Sequence, residues 1–451
     1  MAEQADVIVI GMGPGGEAAA ARLARSGASV VGIEKNLVGG ECPYYGCIPS
    51  KMMIRAADSL AEARRVPELA GTSQAVPDFA TVAQRIRDEA TDDWDDTVAV
   101  ERFEKAGGRF VRGTARITGP KTVSVDGQDF EASRAILLNT GTDPAVPPIP
   151  GLAGTPYWTN REVIAAKDAP ESLIVLGGGP IGLELAQAFA RFGTRIEVLE
   201  ALDTLLPLEE PEASRLVEDV LPAEGIGIHT GTRAESIEHD GTAFTVRAGG
   251  RTYTAERLLV ATGRRVDFDA LGLASIGVDT GARSVPTDEH LRIIDGVYAI
   301  GDITGHGAFT HVSMYQAGIA ASHILGEETA GAEYHAVPRV TFTDPEVGAV
   351  GLTERQAREK DLEVATATAQ IPSSARGWIH KAGNQGLIKL VADAERGILV
   401  GATSAGPTGG EVLSMLTLAV HERTPIRRLR EMIYAYPTFH RAVEDALGRL
   451  P

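Results

Sequence analysis

The chain has 451 residues, with 43 Lys or Arg and 61 Asp or Glu, so its formal net charge is −18. This acidic balance argues against nucleic-acid binding, which requires a basic surface, and against electrostatic attachment to an anionic membrane. The two cysteines are too few for a secreted scaffold held together by disulfides.

The first predicted element is a short apolar strand near the N-terminus. Val7–Ile10 end at Gly11 and follow a short polar start, unlike the basic start and longer apolar stretch of a signal peptide. No apolar run approaches the ~18 residues of a transmembrane helix. We therefore expect a cytoplasmic protein without membrane association.

One sequence pattern occurs twice. In each copy an apolar run leads into G-x-G-x-x-G, a helix-like stretch follows, and a second apolar run ends in a glutamate 23 residues after the first glycine. Each copy predicts a β-α-β unit that binds a dinucleotide. The first copy carries Gly11, Gly13, Gly16 and Glu34, and the second carries Gly177, Gly179, Gly182 and Glu200.

The residue types in this pattern explain the expected binding. Glycines let the backbone approach a pyrophosphate, and the N-terminus of the following helix supplies N–H donors and the positive end of the helix dipole. A carboxylate at Glu200 can accept hydrogen bonds from both ribose hydroxyls and would repel a 2′-phosphate. No arginine stands at positions 201–203, so the second site favours NADH over NADPH.

A third apolar element recurs after each unit. Residues 136–141 end in Thr140–Gly141, and the matching residues 258–263 end in Thr262–Gly263. The first copy is the longer one, because extra residues follow its second strand. Part of this insertion contains both cysteines of the chain.

The two cysteines lie five residues apart, at Cys42 and Cys47. A zinc site is not expected there, because it needs about four ligands. In a regular helix, residues five apart are separated by a rise of ~7.5 Å and point ~140° apart, whereas a disulfide needs Cα atoms within about 7 Å. We therefore expect a distorted segment, which Pro43 and Gly46 permit. Residues 52–66 then predict a helix whose N-terminus would favour a thiolate at Cys47.

Residues 39–51 have the pattern GG-x-C-x4-C-x-P-[ST]-K. With it, the chain resembles over essentially its full length the FAD-dependent pyridine nucleotide–disulfide oxidoreductases, the group of dihydrolipoamide dehydrogenase, glutathione reductase and mercuric reductase. Residues 49–57 most resemble the mercuric reductase version. Further matches are Gly301–Asp302, after a strand-like run, and Gly182–Leu183–Glu184.

The resemblance implies that the first repeat binds FAD and the second binds NADH, with NADP(H) less favoured. Electrons would pass from NADH through FAD to a Cys42–Cys47 disulfide. Cys47 would form the thiolate facing the flavin, and Cys42 would exchange with the substrate. Lys51 and Glu184 would pair beside the flavin N5. The cofactor-binding residues expected in this way are Gly11, Gly13, Gly16, Glu34, Lys35, Gly40, Lys51, Thr140, Gly141, Gly177, Gly179, Gly182, Glu200, Gly263 and Asp302, the last on the ribityl chain of FAD.

The expected fold class is α/β, with two Rossmann-like dinucleotide-binding domains and a C-terminal α+β dimerisation domain. Residues 1–150 and 265–335 would form the FAD domain, residues 151–264 the NAD(P) domain and residues 336–451 the dimerisation domain. Strand-like runs at 339–342 and 386–391 and a helix-like run at 411–421 agree with this. In the family each active site takes acid–base residues from the other subunit, so a homodimer is expected.

The chain departs from the family near its C-terminus. Disulfide-reducing members carry H-P-T-x-x-E, a His–Glu pair that acts as acid–base, whereas here Tyr436 and Arg441 hold the His and Glu positions. A tyrosine titrates near ~10, a poor match for proton transfer at pH 7. Tyr436 and His440 are the candidate acid–base residues. Mercuric reductases also have tyrosine in this region, but they end with a vicinal cysteine pair that this sequence lacks.

The leading interpretation is an FAD-dependent oxidoreductase that acts on a sulfur group, passing electrons from NADH to a small disulfide or dithiol in the manner of dihydrolipoamide dehydrogenase. One alternative keeps the flavin and reduces a quinone, a metal ion such as mercuric ion, or another oxidant. A second alternative is a non-catalytic flavoprotein subunit of a complex.

Overall fold

The computed structural model describes residues 2–451. Its strands are β1 Glu3–Ile10, β2 Val30–Glu34, β3 Arg109–Arg112, β4 Ala115–Gly119, β5 Thr122–Val125, β6 Gln128–Leu138, β7 Asp143–Pro144, β8 Ser172–Leu176, β9 Arg195–Leu199, β10 Ile226–His229, β11 Ala234–His239, β12 Phe244–Ala248, β13 Arg251–Ala255, β14 Arg257–Val260, β15 Arg264–Arg265, β16 Arg292–Ile294, β17 Val297–Ala299, β18 Pro338–Thr341, β19 Glu346–Gly351, β20 Val364–Gln370, β21 Leu387–Asp393 and β22 Ile398–Gly406.

The α-helices are α1 Pro14–Arg25, α2 Glu41–Tyr45, α3 Cys47–Leu69, α4 Phe79–Arg85, α5 Thr97–Lys105, α6 Asn160–Ile164, α7 Pro180–Arg191, α8 Pro211–Val220, α9 Phe268–Leu271, α10 Thr310–Leu325, α11 Glu354–Glu359, α12 Ala375–His380, α13 Gly409–His421, α14 Ile426–Arg430 and α15 Arg441–Leu447. Shorter turns are the π-helical Ile86–Ala90 and the 3₁₀-helical Leu221–Glu224, Leu273–Ile276, Gly301–Thr304 and Ile371–Ser373. Within residues 2–451, no helix has both the length and the apolar character needed to cross a membrane.

The chain divides into two compact units. The first comprises the chain up to Pro49 with Gln84–Ala145 and Arg264–Tyr334, and the second comprises Ser50–Ala83, Val146–Gly263 and His335–Pro451. The boundaries of the three functional domains expected from the sequence stay a prediction.

The first unit contains a largely parallel sheet with β1 near its centre. The strand order is β16-β17-β6-β1-β2-β3, and β4 and β5 extend it antiparallel from β6. The apolar run of β1 is buried on both faces: Val7 and Val9 pack in one cluster with α1 and α10, and Ile8 and Ile10 pack in the cluster on the other face. Such a run is typical of a central parallel strand, which is covered on both sides.

The second unit repeats this arrangement. Its parallel sheet has the order β10-β9-β8-β14, which matches β3-β2-β1-β6 of the first unit strand for strand. The internal repeat predicted from the sequence is therefore confirmed. Along the chain, antiparallel strands lie between the third and fourth of these matching strands. They are β4 and β5 in the first unit and the three-stranded β11-β12-β13 in the second.

The C-terminal part of the second unit is an antiparallel sheet of order β18-β19-β22-β21-β20. Its buried residues form one core with those of α13, α14 and α15, including Ile388, Leu390, Leu416 and Leu447. The strands near 339 and 387 and the helix near 411 confirm the sequence prediction. Two Rossmann-like sheets and this α+β region together confirm the predicted fold class.

A buried arginine joins three segments of the second unit. Arg191, the last residue of α7, is 1% exposed. Its guanidinium donates to Asp58 of α3 at 2.5 Å, to both carboxylate oxygens of Glu224 at 2.7 Å, and to Asp344 at 2.7 Å. Asp344 also accepts from Arg65 at 2.6 Å. Arg65 also donates to Glu62 at 2.6 Å, so the carboxylates of this cluster outnumber its two guanidinium groups.

The excess charge falls on Asp58, which has the fewest of these contacts. Burial raises the pKa of Asp58 to about 6, against the opposing effect of Arg191 and with a further rise from the nearby Asp344. Because the folded state then binds the Asp58 proton more tightly than the unfolded chain, this residue lowers stability as the pH rises from about 4 to about 6.

We expect Asp58→Asn to stabilise the protein at pH 8, because the amide still accepts from Arg191 without the buried charge. Asp58 is 39% exposed, so solvent screening limits the gain to about 1–3 °C in Tm. The gain should shrink at pH 4.5, where Asp58 is protonated. Melting curves at both pH values test this, with the exposed Asp129→Asn as control; a lower Tm for Asp58→Asn at pH 8 would contradict it.

Candidate active site

The first glycine turn closes tightly on the end of β6. Gly11 has φ of +90°, and a Cβ there would lie 2.3 Å from the carbonyl oxygen of Asn139. A Cβ at Gly16 would lie 2.0 Å from the carbonyl oxygen of Gly11. Gly13 precedes α1, whose first residue is Pro14, so the amide groups of the helix start remain available to a ligand. Side chains are excluded from this turn, as the predicted pyrophosphate site requires.

The second glycine turn has the same geometry. Gly177 has φ of +110°, and its Cβ would lie 2.4 Å from the carbonyl oxygen of Ala261. A Cβ at Gly182 would lie 2.3 Å from the carbonyl oxygen of Gly177. Gly179 precedes α7, which also begins with a proline. A Cβ at Gly179 would meet no atom of the described chain within 4 Å, so the turn is open on that side.

The two strand-end glutamates make matching contacts. In the first repeat Glu34 is buried and accepts from the backbone N–H of Met12 at 2.9 Å and of Asn36 at 2.8 Å. In the second repeat Glu200 is buried and accepts from the N–H groups of Gly178 at 2.6 Å and of Leu202 at 2.7 Å. Each carboxylate therefore holds its glycine turn against the end of its strand.

A polar network surrounds Asp302 in the first unit. Asp302 accepts from the hydroxyl of Thr142 at 2.8 Å, and Arg264 donates to that same hydroxyl at 2.6 Å. The N–H of Gly301 donates to the buried Gln316 at 2.6 Å, which fixes the turn that carries Asp302. Thr142, Arg264 and Gln316 were not predicted from the sequence. Thr142 and Arg264 directly follow the predicted residues Gly141 and Gly263, whereas Gln316 gave no signal.

These residues fit FAD. Thr140 Oγ1 is buried and has no hydrogen-bond partner within residues 2–451, so it is available to a ligand at the predicted position. The glycine cradle and the buried Glu34 lie in the same unit as Thr140 and Asp302. Of the other predicted residues, Gly40 and Gly141 have φ of +67° and +63°. Lys35 and Gly263 are exposed.

The cysteine segment is split into two helices, as the expected distortion required. Helix α2 ends at Tyr45, Gly46 has φ of −134° and ψ of −117°, and α3 begins at Cys47. Cys42 and Cys47 are both half-buried. Cys47 Sγ lies 3.4 Å from Oγ1 of Thr310, the first residue of α10. The predicted helix at 52–66 is confirmed and is longer at both ends.

Lys51 and Glu184 pair as the sequence indicated. Lys51 Nζ donates to Glu184 Oε2 at 2.8 Å and lies 4.6 Å from the ring centroid of Phe342. The other oxygen of Glu184 accepts from the N–H of Phe342 at 2.8 Å. Glu184 is 5% exposed, and its buried charge is compensated by these two contacts.

The two C-terminal candidate residues, Tyr436 and His440, do not form part of a His–Glu pair. Tyr436 is 71% exposed, and the Arg441 guanidinium carbon lies 5.7 Å from its ring centroid. Arg441 in turn pairs with Glu444. His440 is half-buried immediately before α15. The acid–base roles of Tyr436 and His440 stay predictions.

Two dinucleotide-type turns, a cysteine pair after the first of them and a C-terminal α+β region define a flavin-dependent oxidoreductase that uses a pyridine nucleotide. Residues 5–317 match the family model "Pyridine nucleotide-disulphide oxidoreductase", and residues 337–447 match the dimerisation domain of the same family. The chain therefore belongs to the pyridine nucleotide–disulfide oxidoreductases, enzymes that use FAD together with NAD or NADP.

Individual relatives agree with this assignment. The chain is 33% identical over 440 residues to a mercuric reductase of Staphylococcus aureus, covering 96% of this chain and 80% of the relative. It is 33% identical over 465 residues to a dihydrolipoyl dehydrogenase of Haloferax volcanii, covering 98% and 96%. The solved HOCl-induced flavoprotein disulfide reductase RclA of Escherichia coli superposes with a TM-score of 0.86 at 26% identity, covering 98% of this chain and 99% of RclA.

We expect Gly16→Ala to weaken FAD binding, because the added Cβ would meet the backbone oxygen of Gly11 and force the turn open. Overpacking of this kind costs about 1–3 kcal/mol, which is roughly a ten- to hundredfold loss of affinity. Flavin content and the dissociation constant of FAD measure it. The control is Gly318→Ala in α10, where a Cβ meets nothing within 4 Å. Equal FAD affinity in wild type and Gly16→Ala would contradict the expectation.

Proposed function

We propose that this protein passes electrons from NADH through FAD to a Cys42–Cys47 disulfide and from there to a small disulfide substrate, or runs the same path in reverse on a dithiol. The observation that supports this most strongly is the placement of Cys47 Sγ at the first residue of α3, 3.4 Å from the hydroxyl of Thr310. This placement suits a stabilised thiolate.

The surroundings of Cys47 favour a negative sulfur for two reasons. As the first residue of a 23-residue helix, it lies at the positive end of the helix dipole. The hydroxyl of Thr310 can donate a hydrogen bond to a thiolate. Cys42 lies in the separate helix α2, and we assign it the exchange with the substrate, since a thiol–disulfide exchange needs one sulfur that substrate can reach.

The residues of the first unit would hold FAD, with Glu34 at the adenosine ribose and Asp302 at the ribityl chain. When bound, FAD supplies the centre that accepts a hydride from the nicotinamide and delivers electrons to the disulfide. Lys51 contributes a fixed positive charge whose position is set by Glu184 and Phe342. We propose that this charge lies beside the flavin N5.

The second repeat supports NADH as the pyridine nucleotide. Each oxygen of Glu200 accepts one backbone N–H, and each retains a lone pair for a ribose hydroxyl. A 2′-phosphate would meet this buried carboxylate instead.

We propose a homodimer. The C-terminal region exposes several large apolar or aromatic side chains, among them Trp378 at 77%, Ile433 at 95% and Tyr436 at 71%. Exposed apolar groups of this kind are typical of an interface. The match to the dimerisation domain agrees with this assignment. In such a dimer, the acid–base group for each site would come from Tyr436 or His440 of the other subunit.

A second candidate function is the reduction of a metal ion or another oxidant. The replacement of the His–Glu pair by Tyr436 and Arg441 supports it, because disulfide reduction needs a proton donor near neutral pH. Relatives named mercuric reductase, and RclA, which has also been solved as a Cu(II) complex, support it as well. Residues 2–451 hold no group of three His, Cys, Asp or Glu side chains suited to bind a metal ion. In this candidate function the acceptor would take its electrons from the flavin.

Anaerobic titration with NADH tests the redox pathway. The purified flavoprotein should take up about two equivalents, one for the flavin and one for the disulfide, and a long-wavelength absorbance band should appear halfway. Cys42→Ser should take up about one equivalent and lose disulfide reductase activity. Uptake of about one equivalent by the wild type, without the band, would remove the cysteines from the pathway and favour the second candidate function.

We expect wild type to use NADH in preference to NADPH, and Glu200→Gln to reduce that preference. Hydrogen bonds to charged groups contribute roughly 1.5–3 kcal/mol, so the ratio of the two kcat/KM values should fall about tenfold or more. Glu197→Gln on the same strand is the control, since its side chain is 45% exposed and contacts His229. An unchanged ratio in Glu200→Gln would exclude Glu200 as the selective residue.

A further inference from the structure

Three segments of the second unit bring polar residues together in a row. We call these residues, together with Phe342, the polar seam. On α3, Lys51, Asp58 and Arg65 recur every seven residues, and on α7 Glu184, Gln187 and Arg191 share one face. Phe342 and Asp344, one residue apart in the segment after β18, supply the third side. The polar seam consists of Lys51, Asp58, Arg65, Glu184, Gln187, Arg191, Phe342 and Asp344.

One end of the polar seam is the Lys51–Glu184 pair. The two oxygens of Glu184 accept from two different segments, the ammonium of Lys51 and the N–H of Phe342, both at 2.8 Å. The Phe342 ring also lies under the Lys51 ammonium. The position of Lys51 therefore depends on where the backbone of Phe342 is held.

Gln187 holds that backbone. Its carbonyl accepts from the N–H of Asp344 at 2.8 Å, and its amide donates to the carbonyl oxygen of Asp344 at 2.9 Å and to Glu224 at 2.8 Å. Gln187 is 3% exposed, so water cannot replace these bonds. A side chain that pairs with both backbone groups of one residue restrains its position and direction together.

The other end of the polar seam is the Arg191 cluster described above. Arg191 and Arg65 both contact the side chain of Asp344, whose backbone Gln187 holds. A narrow gap lined in part by Asp58, Glu184, Gln187, Arg191 and Phe342 runs along these groups. Gln187 thus lies between the anchored end and the Lys51–Glu184 end, and links them through two residues of backbone.

We propose that Gln187 is a positioning residue for the reaction with NADH: by fixing Asp344 it keeps the N–H of Phe342 on Glu184, and so keeps the Lys51 charge in place. This inference rests on the proposed function, because the location of Lys51 beside the flavin comes from the family resemblance. Gln187 does not contact Lys51 itself and acts only through its neighbours.

The test compares Gln187→Leu with Gln356→Leu in the holoenzyme. Gln356 lies in α11 of the same unit and accepts from the backbone N–H of Thr353 at 2.9 Å, so both variants lose a bond between a glutamine side chain and the backbone. Arg191→Met is less suitable, because it leaves three partly buried carboxylates without their shared cation and can fail to fold. Gln187→Met serves as a second variant that keeps the length of the side chain but loses both hydrogen bonds to Asp344.

Two measurements separate positioning from loss of structure. Amide hydrogen exchange of the peptide containing residues 342–344 should speed up at least about tenfold in Gln187→Leu and remain at the wild-type rate in Gln356→Leu. The rate constant of flavin reduction by NADH in single-turnover mixing should fall about tenfold, with the NADH concentration at half-maximal rate unchanged. Gln187→Met should behave like Gln187→Leu in both measurements.

Unchanged exchange in Gln187→Leu would overturn the proposal, because the backbone would then not depend on Gln187. Faster amide exchange in Gln187→Leu with an unchanged rate constant of flavin reduction would overturn it as well, because the reaction with NADH would then not depend on the polar seam. A wild-type flavin that NADH does not reduce would instead contradict the proposed function, whereas the exchange measurement would still report on the restraint of Phe342.

Discussion

The two dinucleotide units depend on one repeated interaction, a buried glutamate that accepts backbone N–H groups from its own glycine turn. Glu34 and Glu200 stand at the ends of equivalent strands and bind equivalent amides. This contact adds a side-chain restraint to a turn built largely from glycine, the residue with the widest conformational freedom. In the proposed function the same carboxylate would also bind a ribose, so that one residue would serve both folding and recognition.

The glycine turns themselves are constrained from the other side by backbone. The carbonyl oxygens of Asn139 and Ala261 occupy the space that a Cβ would need at Gly11 and Gly177. Each turn is therefore held between a strand end and a neighbouring backbone segment. The matching strand orders of the two parallel sheets show the same arrangement in both units.

The segment that carries the two cysteines differs from the glycine turns, because its main feature is a break between two helices. Gly46 interrupts the helix between Cys42 and Cys47, so the longer helix begins at a sulfur rather than passing through it. Because α3 starts at Cys47, the positive end of its dipole lies at this residue. Cys42 lies in the separate helix α2 and can therefore take a different orientation. Near the C-terminus, Tyr436 and Arg441 stand where the family resemblance places an acid–base pair, and this difference motivates the second candidate function.

The sequence alone determined the repeat, both glycine turns, the strand-end glutamates, the break between the two cysteines, and two strands and one helix of the C-terminal region, because each depends on local spacing or on conformations that few residues can adopt. The Lys51–Glu184 pair could be named only through a family pattern, since its residues are far apart in the chain. Only the tertiary structure showed that Thr142 and Arg264 support Asp302, and that Gln187 and Arg191 join α3, α7 and the segment after β18. The sequence does not show which of these residues meet, because the contacts form only when packing brings distant polar residues together and burial requires each to find a partner.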